Sequence, residues 1–435
     1  MRKVKILLIG MLVMMLSGTA WAASYDDHVK IAPNNQGDVL IFPFYAAIDG
    51  GFETKLTVVN TSRTESTVAK VVVRSEVFSQ ELLDFLIYLS PSDVWTGTLR
   101  WDAAKGGPVL FSDDDSILVA PATFATPDNP VNQPLVPAAG GGDSNMMGYV
   151  YVINAATAEL VDDGAPGLKV RKSRILDWYQ PLDDIDIVAN YPPQNILAGF
   201  MDFNVRDAFL TSGLNAVTLR DYVSEQKLTV RFPTLLGEVA QNNRLEVEAV
   251  LSKLDVSMPY VNTDEDVTLH FFTFPTKYHY DAALRDEDPL GPFFRQNADA
   301  DFCVKFAYEA YDLQENKVTD PSPIFSPTPP EDISRFCREL NWVDSMQFAF
   351  EEGFTRYDFM DPVTGGLNES GEPLTYTGAP VIPMQLNLGQ TGLSMKYGAW
   401  TDGIVKGTID RFDVEFFDYH YSDTPNHNYF DYLND

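Results

Sequence analysis

Short apolar runs separated by turn residues dominate the first quarter of the chain. Between Gly37 and Trp101 these runs are rich in Val, Ile, Leu, Phe and Tyr, and each ends in Gly, Asn, Ser or Pro. Runs that recur about every dozen residues are typical of antiparallel strands in a β-sandwich. In the last run Trp95, Gly97, Leu99 and Trp101 share one face, because side chains alternate between the two faces of a strand. The pattern therefore predicts a mainly β protein.

Comparable runs continue toward the end of the chain. Residues 147–155 (MGYVYVINA) predict a strand that completes the first sandwich, and residues 267–281 predict a strand buried on both faces. One segment has helical spacing instead and predicts a short amphipathic helix. Its apolar positions are Leu245, Val250, Leu251 and Leu254.

The fold expected from these patterns consists of two immunoglobulin-like β-sandwich modules with long loops and at most one or two short helices. The predicted divisions are a signal peptide over residues 1–22, a loose lead-in over 23–36, an N-terminal sandwich over 37–160 and a second β-rich module over 161–435. Residues 121–145 are rich in Pro, Gly and Asn and predict a long, mobile surface loop in the first module.

The first 22 residues carry the pattern of a secretory signal. Three basic residues (Arg2, Lys3 and Lys5) precede an apolar run, and Ala20-Trp21-Ala22 forms a small-x-small end. This order predicts export with cleavage after Ala22. The alternative is a retained anchor helix, but the run over residues 6–16 is shorter than the roughly 20 residues a membrane span requires. No later stretch is long and apolar enough to cross a bilayer as a helix.

Composition narrows the classes of partner. The chain has 435 residues, 45% of them hydrophobic and 12% aromatic, which is ample for a folded core. Its formal charge of −31 becomes −34 when the signal, with three basic and no acidic residues, is removed. A protein with so large a negative charge repels nucleic acid and anionic lipid. Divalent or cationic partners remain compatible with this charge, which also has the plainer interpretation of solubility.

Two cysteines, Cys303 and Cys337, stand at either side of a proline-rich segment that has five prolines within residues 320–332. In an exported chain such a pair favours a disulfide, and the loop it closes would stabilise the fold by roughly 3–4 kcal/mol in the chain-entropy model. Two free reactive thiols are the alternative. The prolines preclude regular structure, so the segment is expected to be an extended excursion with the disulfide at its base.

Seven motifs in this order resemble a group of uncharacterised exported bacterial proteins. They are LTVVNTS, LDFLIYLSPSDVWTGTL, GYVYVINA, FPTKYHYD, FSPTPP between the cysteines, CRELNWV and YTGAPVIPM. The chain departs from the group in residues 151–155, where an acidic residue is expected, and in having only two cysteines. The resemblance implies a Gram-negative origin and one integrated architecture, and it brings no activity, substrate or catalytic residue.

Acidic clusters in loop-like segments are the main candidates for ligand chemistry. Calcium binds six to eight oxygens, often from such loops in secreted modules. Calcium is the only cofactor that the sequence indicates. The indication is weak, because no cluster matches the twelve-residue calcium loop. The candidate ligands are Asp113, Asp114, Asp115, Asp299 and Asp301.

Catalytic signatures are absent from the sequence. There is no nucleophile elbow, no nucleotide-binding glycine motif and no zinc-type spacing among His28, His270, His279, His420 and His427. A His/Asp metal site in the C-terminal tail is possible, although a solvated tail explains the same residues. The tryptophans could form a sugar-stacking platform, but at strand positions such as Trp95 and Trp101 they are expected in the core.

The function that these observations favour is an exported, non-catalytic structural or binding protein of the cell surface, extracellular space or periplasm. Self-association or other surface components are the expected partners. The first alternative is a secreted carbohydrate-active or other hydrolytic enzyme that uses dispersed carboxylates. A calcium-stabilised binding module is a third hypothesis, which predicts a higher melting temperature in millimolar calcium.

Overall fold

The structure, a computed structural model, describes the chain from Val29 to Lys406 with internal gaps. The described ranges are 29–77, 80–120, 123–136, 145–159, 172–179, 193–222, 247–277, 293–295, 302–318, 335–348, 350–359, 363–367, 373–389, 392–402 and 404–406. The predicted signal peptide, the proline-rich segment and the C-terminal histidines lie outside them.

Strands account for most of the described residues, which confirms the mainly β prediction. In chain order they are β1 (Lys30–Ile31), β2 (Val39–Ala46), β3 (Phe52–Asn60), β4 (Glu65–Ser75), β5 (Glu81–Leu89), β6 (Val94–Asp102), β7 (Gly107–Ser112), β8 (Leu118–Ala120), β9 (Thr123–Phe124), β10 (Val131–Pro134), β11 (Met147–Glu159), β12 (Leu197–Val205), β13 (Leu210–Asn215), β14 (Val217–Arg220), β15 (Ser252–Val261), β16 (Asp266–Thr273), β17 (Phe294–Arg295), β18 (Phe302–Lys305), β19 (Ala307–Asp312), β20 (Lys317–Val318), β21 (Arg335–Phe336), β22 (Leu340–Asp344), β23 (Glu352–Asp358), β24 (Val363–Leu367), β25 (Pro373–Thr377), β26 (Ala379–Pro380), β27 (Ile382–Gly389), β28 (Gly392–Tyr397), β29 (Ala399–Asp402) and β30 (Ile404–Lys406).

Helical structure in the described ranges is limited to short pieces. The α-helix α1 spans Lys172–Tyr179, and two 3-10 turns span Arg206–Ala208 and Ser345–Gln347. Residues 247–251 are helical and run directly into β15. The predicted helix is therefore confirmed at Val250 and Leu251, whereas Leu254 belongs to the strand and Leu245 lies outside the described residues.

Four principal sheets form the framework. Sheet 1 has the order β1-β14-β2-β11-β4-β5, and sheet 2 has the order β10-β7-β6-β3-β12-β13. Sheet 3 has the order β20-β19-β23-β15-β26, with β29 also paired to β15, and sheet 4 has the order β22-β16-β27-β28. Smaller sheets join β17-β18-β21, β24-β25-β30 and β8-β9. All paired strands given a register are antiparallel.

The first core lies between sheets 1 and 2 and also takes in one face of sheet 4. Phe44 of β2 shows this directly, because its ring lies 5.5 Å from Phe203 of sheet 2 and 4.6 Å from Phe271 of sheet 4, measured between centroids. A second core covers the other face of sheet 1, and a third fills the space between sheets 3 and 4. Sheets 1 and 4 are therefore covered by apolar side chains on both faces.

This arrangement corrects the prediction of two separate immunoglobulin-like sandwiches. The four sheets form a propeller-like ring of four blades. The physical reason is visible in β2, where all eight residues are buried. A strand that is apolar on both faces needs cover on both sides, which a two-layer sandwich cannot supply.

The sheets do not divide the chain at residue 160. Strand β12 pairs with β3 over nine residues, from Leu197 opposite Asn60 to Val205 opposite Phe52. Strand β14 pairs with both β1 and β2. The two N-terminal sheets are thus completed by residues 197–220.

Two predicted irregular segments carry strands. In the lead-in, β1 pairs with β14 and Val29 is buried, so residues 29–36 are not loose. In the predicted surface loop, β10 pairs with β7, and Ala125 and Leu135 are buried in the first core. These residues were missed because each contributes isolated apolar positions rather than a periodic run.

The alternation predicted for β6 is confirmed from Trp95 to Leu99, whereas Trp101 at the end of the strand is only half-buried. Trp95 and Leu99 are fully buried, and Gly97 lies between them on the same face. A Cβ atom at Gly97 would lie 2.5 Å from the Trp95 ring, so the glycine makes room for the indole to fold over the strand. Trp95 is therefore a core residue and not part of a sugar platform.

Candidate functional site

A lysine occupies the centre of the acidic cluster predicted to bind calcium. Lys172, the first residue of α1, places its Nζ 3.2 Å from Asp93 Oδ2 and in contact with Asp115 Oδ1. The same ammonium donates to Ser116 Oγ at 2.7 Å and lies 3.9 Å from Asp114 Oδ1. One protein cation thus takes the position that a metal ion would need.

Backbone donors bind both carboxylate oxygens of Asp114. Asp114 Oδ2 accepts from the Thr96 N–H at 3.1 Å, and Asp114 Oδ1 accepts from the Ser116 N–H at 3.0 Å. Burial raises the pKa of Asp114, with these hydrogen bonds and Lys172 acting in the opposite direction. Asp113 is exposed, and Asp299 and Asp301 lie outside the described residues. A calcium site at these positions stays a prediction.

Across the described ranges, no three His, Cys, Asp or Glu side chains come together in a way that could hold a metal ion. Likewise, no helix in that part of the chain has the length and apolarity needed to cross a membrane.

His270, the only histidine within the described ranges, is a fully buried residue of the third core. Its Nε2 lies 3.0 Å from the Pro259 carbonyl, which can only accept, so Nε2 carries the hydrogen. Nδ1 then accepts from the Tyr357 hydroxyl at 2.9 Å. Burial lowers the pKa of His270 to about 4, which keeps the ring neutral. Both ring nitrogens serve the fold.

The cysteines form the predicted disulfide. Cys303 follows the start of β18 and Cys337 follows β21, and their Cα atoms are 4.1 Å apart. The two strands pair through Val304 opposite Phe336, so the covalent bond lies beside a backbone ladder. The proline-rich segment that it closes lies outside the described residues.

A charged seam joins the end of β4 to the segments that flank sheet 4. Arg338 Nη1 lies 3.0 Å from Glu76 Oε1, and Lys277 Nζ lies 3.1 Å from Glu339 Oε1. The Glu339 N–H also donates to the Glu76 carbonyl at 3.1 Å. Lys277 and Glu339 are almost completely buried, at 1% and 0% exposure. Two cations thus balance two carboxylates, which favours a structural role for the seam.

The most unusual exposed residue is an aromatic at a hairpin end. Phe209 lies between β12 and β13 and is 95% exposed. Its backbone has φ 56° and ψ 33°, in the left-handed region that a bulky residue rarely adopts. Its N–H donates to the Arg206 carbonyl at 3.1 Å, closing the 3-10 turn. A ring held outward at a conformational cost is a candidate anchor for a partner.

The hairpin end is fixed to its surroundings. The Arg206 N–H donates to the Gly51 carbonyl at 3.0 Å, and Arg206 Nε lies 3.4 Å from Glu53 Oε2. Below the tip, Phe203 stacks on Phe52 with centroids 6.1 Å apart. The Phe209 ring therefore projects from a rigid base rather than from a free loop.

Sequence reasoning missed Phe209 and could have found it only through a weak signal. The segment from Val205 to Gly213 (VRDAFLTSG) is ambiguous between strand and turn, and Asp207 is the turn former that precedes Phe209.

Comparison with known protein families, with curated proteins and with solved structures gave no match for this chain. The resemblance to exported bacterial proteins therefore stays a prediction from the motifs.

Proposed function

We propose that this chain is an exported, non-catalytic binding and structural component of the surface or extracellular space of a Gram-negative bacterium. The observation that carries the proposal is the Phe209 ring, 95% exposed and held in a left-handed backbone conformation on a rigid hairpin. Aromatic anchors of this kind dominate the energetics of protein interfaces, since a single ring buries a large area at low entropy cost.

Three of the buried carboxylates in the described part of the chain are held in ion pairs, which supports a binding role over hydrolysis. Asp84, Glu76 and Glu339 each form an ion pair with a lysine or arginine. A hydrolase using dispersed carboxylates would need two of them facing a substrate at a set separation. In this fold the paired carboxylates fasten strands and sheets together instead.

The charge around the tip indicates the class of partner. Asp49, Glu53 and Asp207 lie in or beside the two turns at this end, where Arg206 supplies the basic side chain. The chain as a whole carries a formal charge of −31. Of the two expected partners, this charge favours another surface component over self-association, because two copies of so acidic a chain repel each other, as the chain also repels anionic lipid. The partner that fits is a different protein with an apolar pocket surrounded by basic residues.

The test uses Phe209→Asn in the full chain, produced with a tag in the native host. The matched control is Leu313→Asn, because Leu313 is also an exposed apolar residue, at 64%, in a turn of sheet 3. Chemical cross-linking on intact cells followed by affinity capture and mass spectrometry reports the partner. We expect at least a tenfold loss of cross-linked partner for Phe209→Asn and none for the control.

Equal cross-linking by both variants would contradict the anchor role. Recovery of the tagged protein only from the cytoplasm would contradict export independently of the anchor.

A further inference from the structure

Lys70 and Asp84 form a buried pair on neighbouring strands of sheet 1. In the β4–β5 register Lys70 lies opposite Leu86, and Val72 lies opposite Asp84. The two charged residues are therefore diagonal neighbours on the same face, within reach of a lysine side chain. Lys70 Nζ contacts Asp84 Oδ2 directly, and the two side chains are only 3% and 5% exposed.

Apolar side chains surround the lysine. Val68 and Val72 flank it along β4, and its cross-strand neighbours are Leu86 on β5 and Ile153 on β11. All four belong to the second core. In such surroundings charged groups lose their hydration, so burying the pair as two ions is costly.

The electrostatics of Asp84 point the same way. Burial raises its pKa to about 7, Lys70 acts in the opposite direction, and Glu81 adds to the rise. Glu81 is itself 3.8 Å from Arg74, so the charges around the pair are balanced. A protonated Asp84 is therefore accessible near neutral pH.

We propose that Lys70 and Asp84 condense to an intramolecular amide cross-link between β4 and β5. The lone pair of the neutral Nζ attacks Cγ of the protonated carboxyl group, an Nζ–Cγ bond forms and a Cγ–O bond breaks. The hydroxyl leaves with one hydrogen of the amine as water. No oxidant, cofactor or further reactant is required. This proposal stands independently of the proposed function.

A second buried pair serves as an internal comparison. Lys277 and Glu339 are as well buried, but Lys277 lies in a turn after β16 and Glu339 precedes β22. No strand register holds their reacting atoms together as it does for Lys70 and Asp84. Condensation is therefore assigned to the pair in sheet 1.

The cross-link would protect a vulnerable strand. β5 is the last strand in the order of sheet 1, and an edge strand is the first to be peeled away under load or to pair with foreign chains. A covalent bond to β4 would make that separation impossible while the amide is intact.

The experiment is intact-mass spectrometry of the full chain, denatured and with the disulfide reduced, after its N-terminus has been determined. We expect the wild type to be lighter than its sequence mass by one water molecule. Lys70→Arg and Asp84→Ala should have their full sequence masses. Asp84→Asn retains a condensable group and should be lighter by one ammonia molecule, because the amide nitrogen is then the leaving group.

Tandem mass spectrometry of the digest should show one branched peptide joining residues 70 and 84. A wild type at its full sequence mass overturns the proposal, whether or not the variants fold. A water loss that persists in Lys70→Arg also overturns it, because the linkage would then lie elsewhere, as at Lys277 and Glu339.

Discussion

Replacing Phe209 with asparagine should make the protein more stable while it removes the proposed anchor. The left-handed conformation costs an ordinary residue roughly 1–2 kcal/mol, and asparagine tolerates it better because its short amide can bond locally. The ring is 95% exposed in the folded chain. Full burial of such a side chain is worth about 2–3 kcal/mol, so the packing lost with it is on the order of 0.1 kcal/mol.

The balance of these two effects is a gain of about 1 kcal/mol in the free energy of unfolding. Urea denaturation followed by tryptophan fluorescence measures it as a higher midpoint with an unchanged slope. The control is again Leu313→Asn, since Leu313 is not among the described non-glycine residues with positive φ. It should be neutral or slightly destabilising.

A loss of 1 kcal/mol or more in Phe209→Asn would refute the reasoning, because the ring would then contribute packing in the isolated protein. Replacement of a residue that serves binding rather than stability commonly gives a variant that is more stable and less active. The stability and the cross-linking of the same variant therefore test the anchor role of Phe209 by two independent measurements.

Three further predictions concern buried groups. The pKa of His270 is lowered to about 4 from 6.5, so its stabilising contribution is complete above pH 6.5 and declines as the pH falls toward 4. The free energy of unfolding should fall by about 3 kcal/mol over this window, and His270→Gln should flatten that pH dependence. An unchanged slope in the variant would contradict the buried neutral ring. Lys172→Met should lower stability by about 1 kcal/mol and should give a larger rise in melting temperature with millimolar calcium than the wild type shows; equal responses by calorimetry would mean that Lys172 does not exclude cations. Replacing Cys303 and Cys337 with alanine should cost roughly 3 kcal/mol, since the bond spans 34 residues; an unchanged denaturation midpoint would contradict this.

The local features of the fold could be predicted from the sequence, because they depend on neighbouring residues. The alternation of Trp95, Gly97 and Leu99 placed one face of β6 in the core. The isolated cysteine pair, together with the signal-like first 22 residues, predicted the disulfide. In both cases the chemistry is contained in a short pattern or in residue type alone.

The long-range features could not be predicted in the same way. Lys172 meets Asp115 across 57 residues of chain, and nothing in either segment specifies the other. The closure of sheet 2 by β12 depends on pairing with β3, far earlier in the sequence. Sheets 1 and 4 are covered by apolar side chains on both faces because of how the folded sheets pack against each other. Periodicity within a strand does not contain this information, and it therefore favoured two independent sandwiches.

The contact between β13 and β28 has a consequence for how the protein is made. The Met395 N–H donates to Ser212 Oγ at 2.9 Å, and the Tyr397 hydroxyl bonds to the Asn215 carbonyl, so partners 183 and 182 residues apart meet here. Met395 also belongs to the first core. A growing chain must therefore keep that core partly uncovered until the strand Gly392–Tyr397 has emerged. Such distant pairing is slow, so during biogenesis the early sheets would depend on a holding chaperone, and truncation before residue 392 would yield an aggregating product.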